Sequence, residues 1–183
     1  MQRASLIALL SLTIQAQSAF ADSAQEKGLI KAAMQGELST VVSFVEKSVN
    51  VNSATEKGLT PLMLSSLQGH IDIVRFLLSK KADVNGQDNT GITSLMAASK
   101  RGNLEVVKVL AHGGANINVQ SEKGLSAIGM AAMDGHLPVV KYLAEQKSAD
   151  VNLKAQNGLS PLGLASLGGH SSVVDYLKTK GGQ

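Results

Sequence analysis

The chain has 183 residues, 17 basic and 14 acidic side chains, no cysteine, and aromatics at only 3%. That length suits one ordinary domain, and the missing cysteine excludes disulfides, thiolate metal sites and a cysteine-linked lipid anchor. A formal net charge of +3 with no basic run gives neither the basic stripe nor the stacking aromatics of a nucleic-acid surface.

The first element in chain order is residues 1–21, which read as a cleavable secretory leader. Arg3 opens it, Leu6 to Ile14 form a mostly apolar stretch, and Ala19-Phe20-Ala21 supplies an A-x-A cleavage pattern before polar Asp22-Ser23. Such a segment is set apart from fold reasoning, and its apolar part is too short to cross a bilayer of about 30 Å. Its removal takes away only Arg3 among charged residues and leaves a net +2. The mature protein is expected to carry no membrane anchor. Without disulfides or an N-x-S/T sequon, export fits a bacterial periplasm best.

After a divergent stretch at 22–54, one pattern is written four times. Gly58-Leu59-Thr60-Pro61-Leu62 leads to Gln68-Gly69-His70; Gly91-Ile92-Thr93-Ser94-Leu95 leads to Arg101-Gly102-Asn103. Gly124-Leu125-Ser126-Ala127-Ile128 leads to Asp134-Gly135-His136, and Gly158-Leu159-Ser160-Pro161-Leu162 to Gly168-Gly169-His170. The later glycines are 33, 33 and 34 residues apart, a period that belongs to a stacked helical array. The spacing predicts repeats at about 55–87, 88–120, 121–154 and 155–183, with 22–54 as a degenerate capping unit that keeps Gly36 in register.

Each recurring residue has a local reason. Thr60, Thr93, Ser126 and Ser160 precede a first helix, where a hydroxyl accepts from an otherwise unpaired N–H; Pro61 and Pro161 follow, where the missing N–H costs nothing. Gly69, Gly102, Gly135 and Gly169 end that helix, a place for left-handed backbone. A second helix then carries Ile73-Val74, Val106-Val107, Val139-Val140 and Val173-Val174, each followed by an apolar pair that completes a stripe at i, i+3, i+4 spacing. Pro138 falls in the first turn of its helix, where proline is tolerated. Asn52, Asn85, Asn118 and Asn152 close the units, where asparagine is expected to bond its own backbone.

These units resemble ankyrin repeats over nearly all of the chain after the leader. The resemblance implies an all-α solenoid of helix-turn-helix units with β-turn tips. Two departures stand out. The family's His in T-P-L-H is replaced by Met63, Met96, Gly129 and Gly163. Because glycine inside a helix costs about 1 kcal/mol relative to alanine, the third and fourth repeats are expected to be less rigid than the first two. The capping unit has Lys27 and Lys31 and no Thr-Pro pair, which suits a terminal unit with one face in water.

Little in the chain points to chemistry. His70, His136 and His170 each follow a repeat glycine and are expected to help satisfy the start of the second helix; His112 sits at a helix end beside Gly113-Gly114, where a cation is favoured. No nucleophile elbow or phosphate loop is present. Met34, Met63, Met96, Met130 and Met133 read as core filler rather than as a copper site. No enzyme activity, cofactor or metal is expected.

The resemblance instead implies a protein partner, bound on a concave face made by the turn tips and the first helices. Carried over by position, the tips are Glu56, Lys57 and Leu59; Asn89, Thr90 and Ile92; Glu122, Lys123 and Leu125; Gln156, Asn157 and Leu159. The helix positions are Leu67, Lys100, Arg101, Met133, Asp134 and Leu167, with Met34 and Gln35 in the capping unit. The residue after each tip glycine is apolar, and so are three of the four residues that open the helix-end pairs, which suggests a ladder of apolar anchors with a charged rim. The expectation is a monomeric, exported, non-catalytic module that stabilises, inhibits or scaffolds another envelope protein. Exported members of this kind resemble accessories of peroxide defence or, alternatively, immunity proteins that neutralise envelope-acting toxins; an enzyme or metal carrier on the same scaffold is the rival class.

Overall fold

A computed structural model describes residues 23–182; the expected leader at 1–21 lies outside the described residues. Among the described residues ten helices follow one another: α1 at 23–35, α2 (Leu38–Glu46), α3 (Pro61–Gln68), α4 (Ile71–Ser79), α5 (Ser94–Arg101), α6 (Leu104–His112), α7 (Ala127–Met133), α8 (Leu137–Ala144), α9 (Pro161–Leu167) and α10 (Ser171–Thr179). Among the described residues there is no strand, only an isolated antiparallel bridge between Gln87 and Thr93.

The capping residues act as their positions require. Thr60, Thr93, Ser126 and Ser160 sit in extended backbone and their hydroxyls accept from the N–H groups of Met63, Met96, Gly129 and Gly163 at 3.2, 3.3, 3.2 and 3.3 Å. The repeat helices are only 7 to 9 residues long, below the roughly 12–15 residues at which an isolated helix becomes even marginally stable. Packing must therefore hold them. α3, α5, α7 and α9 lie side by side as an inner row, and α4, α6, α8 and α10 form an outer row behind it with looser mutual packing. Between the rows runs one continuous core of Leu62, Leu95 and Ile128 from the inner helices with Val74, Leu77, Val107, Leu110, Val140, Leu143 and Leu177 from the outer ones. Met63, Met96 and Met130 are buried, as filler should be.

Three expectations change. His70, His136 and His170 make no cap bond to their own helices. Each ring reaches back one unit, its Nε2 standing 3.1, 2.9 and 3.0 Å from the carbonyls of Met34, Lys100 and Met133. A carbonyl only accepts, so Nε2 carries the hydrogen. Asn103 fills the same place in the second repeat, its Nδ2 donating to Ser66 and Leu67 at 3.1 and 3.2 Å. The last carbonyls of a helix lack intrahelical partners, and here the following unit supplies them.

The unit-closing asparagines likewise work across units rather than on themselves. Oδ1 of Asn52, Asn85 and Asn118 accepts from the N–H of Asp83, Asn116 and Asp150 at 2.8, 2.8 and 3.0 Å. Asn85, Asn118 and Asn152 donate onward to Gly114, Ser148 and Gly181. The local turn bond falls instead to the residue two earlier: Asn50, Asp83, Asn116 and Asp150 accept from the N–H of Asn52, Asn85, Asn118 and Asn152.

The third change is at the amino end. Among its described residues the capping unit shows no turn tip: α1 already runs as helix from 23, five positions before the register of Pro61. Leu29, Ala32 and Ala33 of α1 enter the common core while Lys27, Lys31 and Met34 stay exposed.

Candidate functional site

The tips are built as short hairpin turns. The N–H of Thr55, Asp88, Ser121 and Ala155 donates to the carbonyl of Leu59, Ile92, Leu125 and Leu159 at 3.0, 3.0, 3.0 and 2.9 Å. In the first three, the side chains of Thr55, Asp88 and Ser121 also accept the return N–H at 3.2, 2.9 and 3.2 Å. Ala155 has no such acceptor, and Asn157 Oδ1 takes the bond from Leu159 at 3.1 Å instead. Gly58, Gly91, Gly124 and Gly158 hold the positive φ that the turn needs.

Neighbouring tips are tied together. Asn89, Glu122 and Gln156 donate their backbone N–H to the carbonyls of Lys57, Thr90 and Lys123 at 3.1, 2.9 and 2.9 Å. The side chains of Asn89 and Gln156 bond the carbonyls of Glu56 and Glu122, and Thr90 Oγ1 donates to Asp88 at 2.8 Å. So three of the polar residues expected at the interface have a task within the ladder, while Glu56, Lys57, Glu122 and Lys123 project exposed side chains from a fixed backbone.

The apolar ladder divides in the same way. Leu59, Ile92, Leu125 and Leu159 are all half-buried. Ile92 and Leu125 pack against the core, and Leu159 lies over Gly163, where an added Cβ would come within 3.2 Å of its Cδ2. On the helix positions Leu67 and Met133 are half-buried, and Leu167 is 78% exposed.

Three grooves on this inner face gather most of the expected residues. The largest, about 690 Å³, is walled by Glu26, Lys27, Ile30, Lys31 and Met34 of α1 on one side and Glu56, Lys57 and Leu59 on the other. The second, about 450 Å³, lies between the third and fourth tips and brings together Lys123, Leu125, Met133, Gln156 and Asn157. The third, about 530 Å³, joins Leu67, Lys100, Arg101 and Asp134 with His136. Asn89, Thr90, Ile92, Glu122, Leu159 and Leu167 line none of the three.

Two sets of lining residues were not anticipated. Leu64 and Leu164 form floors; they stand three residues before Leu67 and Leu167, on the same helix face, so that spacing could have found them. In the wall from α1, Met34 holds a helix position already expected, whereas Glu26, Lys27, Ile30 and Lys31 follow from the helix replacing a tip, which the helix-forming run Ala24-Gln25-Glu26-Lys27 signals.

Among the described residues no group of three or more His, Asp or Glu side chains is placed to hold a metal, and none of their helices is long and apolar enough to cross a membrane. Burial and Glu145 push the Tyr176 hydroxyl above its ordinary range, with Lys180 opposing, but Tyr176 belongs to the outer row.

A stack of short helical hairpins, bonded unit to unit at tips and helix ends and grooved along its inner row, is a repeat protein of the interaction-scaffold class. The chain belongs to the ankyrin-repeat family: the family model described as ankyrin repeats (3 copies) matches residues 29–121 and again 95–183. A comparison with curated proteins finds no match. Ankyrin repeats are protein-binding modules and typically non-catalytic scaffolds.

Proposed function

We propose that this protein is an exported, non-catalytic module whose inner face docks on another protein of the bacterial envelope and stabilises, inhibits or scaffolds it. The observation that carries the reading is the run of three grooves along one face, each combining apolar floor or wall residues with exposed charged ones. That combination is the make-up of a protein–protein surface. Support for export comes from Leu6–Ile14 followed by Ala19-Phe20-Ala21. The protein acts as a monomer, and its partner belongs to envelope defence, either in handling peroxide or in blocking a toxin that acts there.

The test is capture of partners from an envelope extract with the wild-type chain and with Met133→Asp/Leu167→Asp, two inner-face changes outside the buried core. A protein retained by the wild type and lost from the variant supports the reading. Equal retention by both removes this face from the account.

A further inference from the structure

The methionines divide into two kinds. Met63, Met96 and Met130 are buried filler, whereas Met34 is 43% exposed and Met133 half-buried. The division follows the repeat register. Met34 and Met133 stand three units apart at one position, two residues before the glycines at 36 and 135. Leu67, Lys100 and Leu167 hold that position in the other units. It looks onto the inner face: Met34 walls the largest groove beside Ile30 and Leu59, and Met133 walls the second beside Leu125 and Leu164. Neither belongs to the common core. The backbone beneath each is held, because the carbonyls of Met34 and Met133 take the bonds from the rings of His70 and His170. A chemical change at either side chain therefore alters a groove without touching the packing that holds the units together.

The chain has no cysteine, so a thioether is the sulfur that an oxidant meets, and exposure decides which one. We infer that Met34 and Met133 are sulfoxidation sites through which hydrogen peroxide switches off binding at the inner face. The thioether sulfur attacks one peroxide oxygen. The S–O bond forms as the O–O bond breaks, and the departing hydroxide takes the proton from the transferred oxygen. The products are a sulfoxide and water; sulfur is oxidised by two electrons and the peroxide reduced by two. A flexible apolar wall thus becomes a polar one. A partner's apolar side chain seated there would leave the new S–O dipole desolvated and unpaired, which is costly. Sulfoxide reductases reverse the change, so the surface is restored and not destroyed. The loss of binding rests on the inner face being the docking surface; the selectivity of oxidation does not.

The test exposes the full chain to hydrogen peroxide and follows each methionine by peptide mass spectrometry. Sulfoxide should form at Met34 and Met133 about tenfold or more faster than at Met63, Met96 and Met130, and thermal unfolding should stay as in the reduced protein. The envelope protein captured by the wild-type chain should bind the oxidised form about tenfold or more weakly, and treatment with both sulfoxide reductases should restore it. Met34→Leu/Met133→Leu should bind as the reduced wild type does and keep binding after peroxide. Equal oxidation of all five methionines would overturn the inference, as would unfolding by peroxide or a double-leucine variant that loses binding after peroxide as the wild type does. Binding that survives sulfoxidation but is lost in Met133→Asp/Leu167→Asp overturns the switch alone and leaves the inner face as the docking surface. Binding indifferent to both removes the inner face and the switch together.

Discussion

The imidazole of His136 lies flat against Gly102 of the preceding unit, so closely that a Cβ on that glycine would stand 2.7 Å from Nδ1. The same ring bonds the carbonyl of Lys100 at 2.9 Å. Gly102 therefore has two reasons to be glycine, a φ of +72° and the neighbour's ring. Gly169, its counterpart in the last repeat, has the positive φ of +74° but nothing within 4 Å. Gly169→Ala should thus show the backbone cost alone, about 1–2 kcal/mol. Gly102→Ala should lose a further ~1 kcal/mol or more from overpacking. Chemical denaturation of the two variants measures the difference; equal losses would show that the ring contact contributes nothing.

Asn118 joins two units through both ends of its amide, accepting from Asp150 N–H at 3.0 Å and donating to Ser148 at 2.6 Å. Asn118→Ala should cost about 1–3 kcal/mol, the range for two ordinary hydrogen bonds at 0.5–1.5 kcal/mol each. Amide exchange around 147–152 should rise most. A variant with wild-type stability would mean that water replaces both bonds without loss.

Ser66 and Ser99 are fully buried, and their hydroxyls have no partner. Ala33 and Ala132 occupy the equivalent places in neighbouring units and are buried too. An unpaired buried hydroxyl costs about 1–3 kcal/mol, so Ser99→Ala should raise stability by roughly 1 kcal/mol. Thermal unfolding at an unchanged or lower midpoint would contradict this.

Gly129 lies inside α7, and an added Cβ would meet Leu164 Cδ1 and Ser126 Oγ at 3.4 Å, ordinary contact distance. Gly129→Ala should therefore recover most of the ~1 kcal/mol that glycine costs in a helix. At Gly163 the new Cβ meets Leu159 Cδ2 at 3.2 Å, so the gain there should be smaller. Hydrogen exchange of the wild type should show less protection in α7 and α9 than in α3 and α5; equal protection would end the argument that these glycines loosen the third and fourth repeats.

Much of the architecture was legible because its causes are local. Thr60, Thr93, Ser126 and Ser160 cap the helices they announce, and the glycines at 69 and 102 end theirs in left-handed backbone. What the pattern hid was reach between units. His136 and Asn118 recur at a fixed distance from their own helix, so a single unit explains their presence; only stacking reveals that their partners sit in the neighbouring unit, 36 and 32 residues away for the bonds to Lys100 and Asp150. The inner face was half legible. Lys57, Lys123 and Met133 line grooves as position suggested, whereas Ile92 and Leu125 also pack inward. Leu125→Asp would consequently disturb folding along with binding, and Met133 and Leu167 are the better probes.

Hydrogen exchange on the complex with the captured envelope partner tests the central claim most directly. Binding should add protection at the tips near 56–59, 89–92, 122–125 and 156–159 and along α1, α3, α5, α7 and α9, leaving α4, α6, α8 and α10 unchanged. Protection confined to the outer row, with tips and inner helices exchanging as in the free protein, would contradict it.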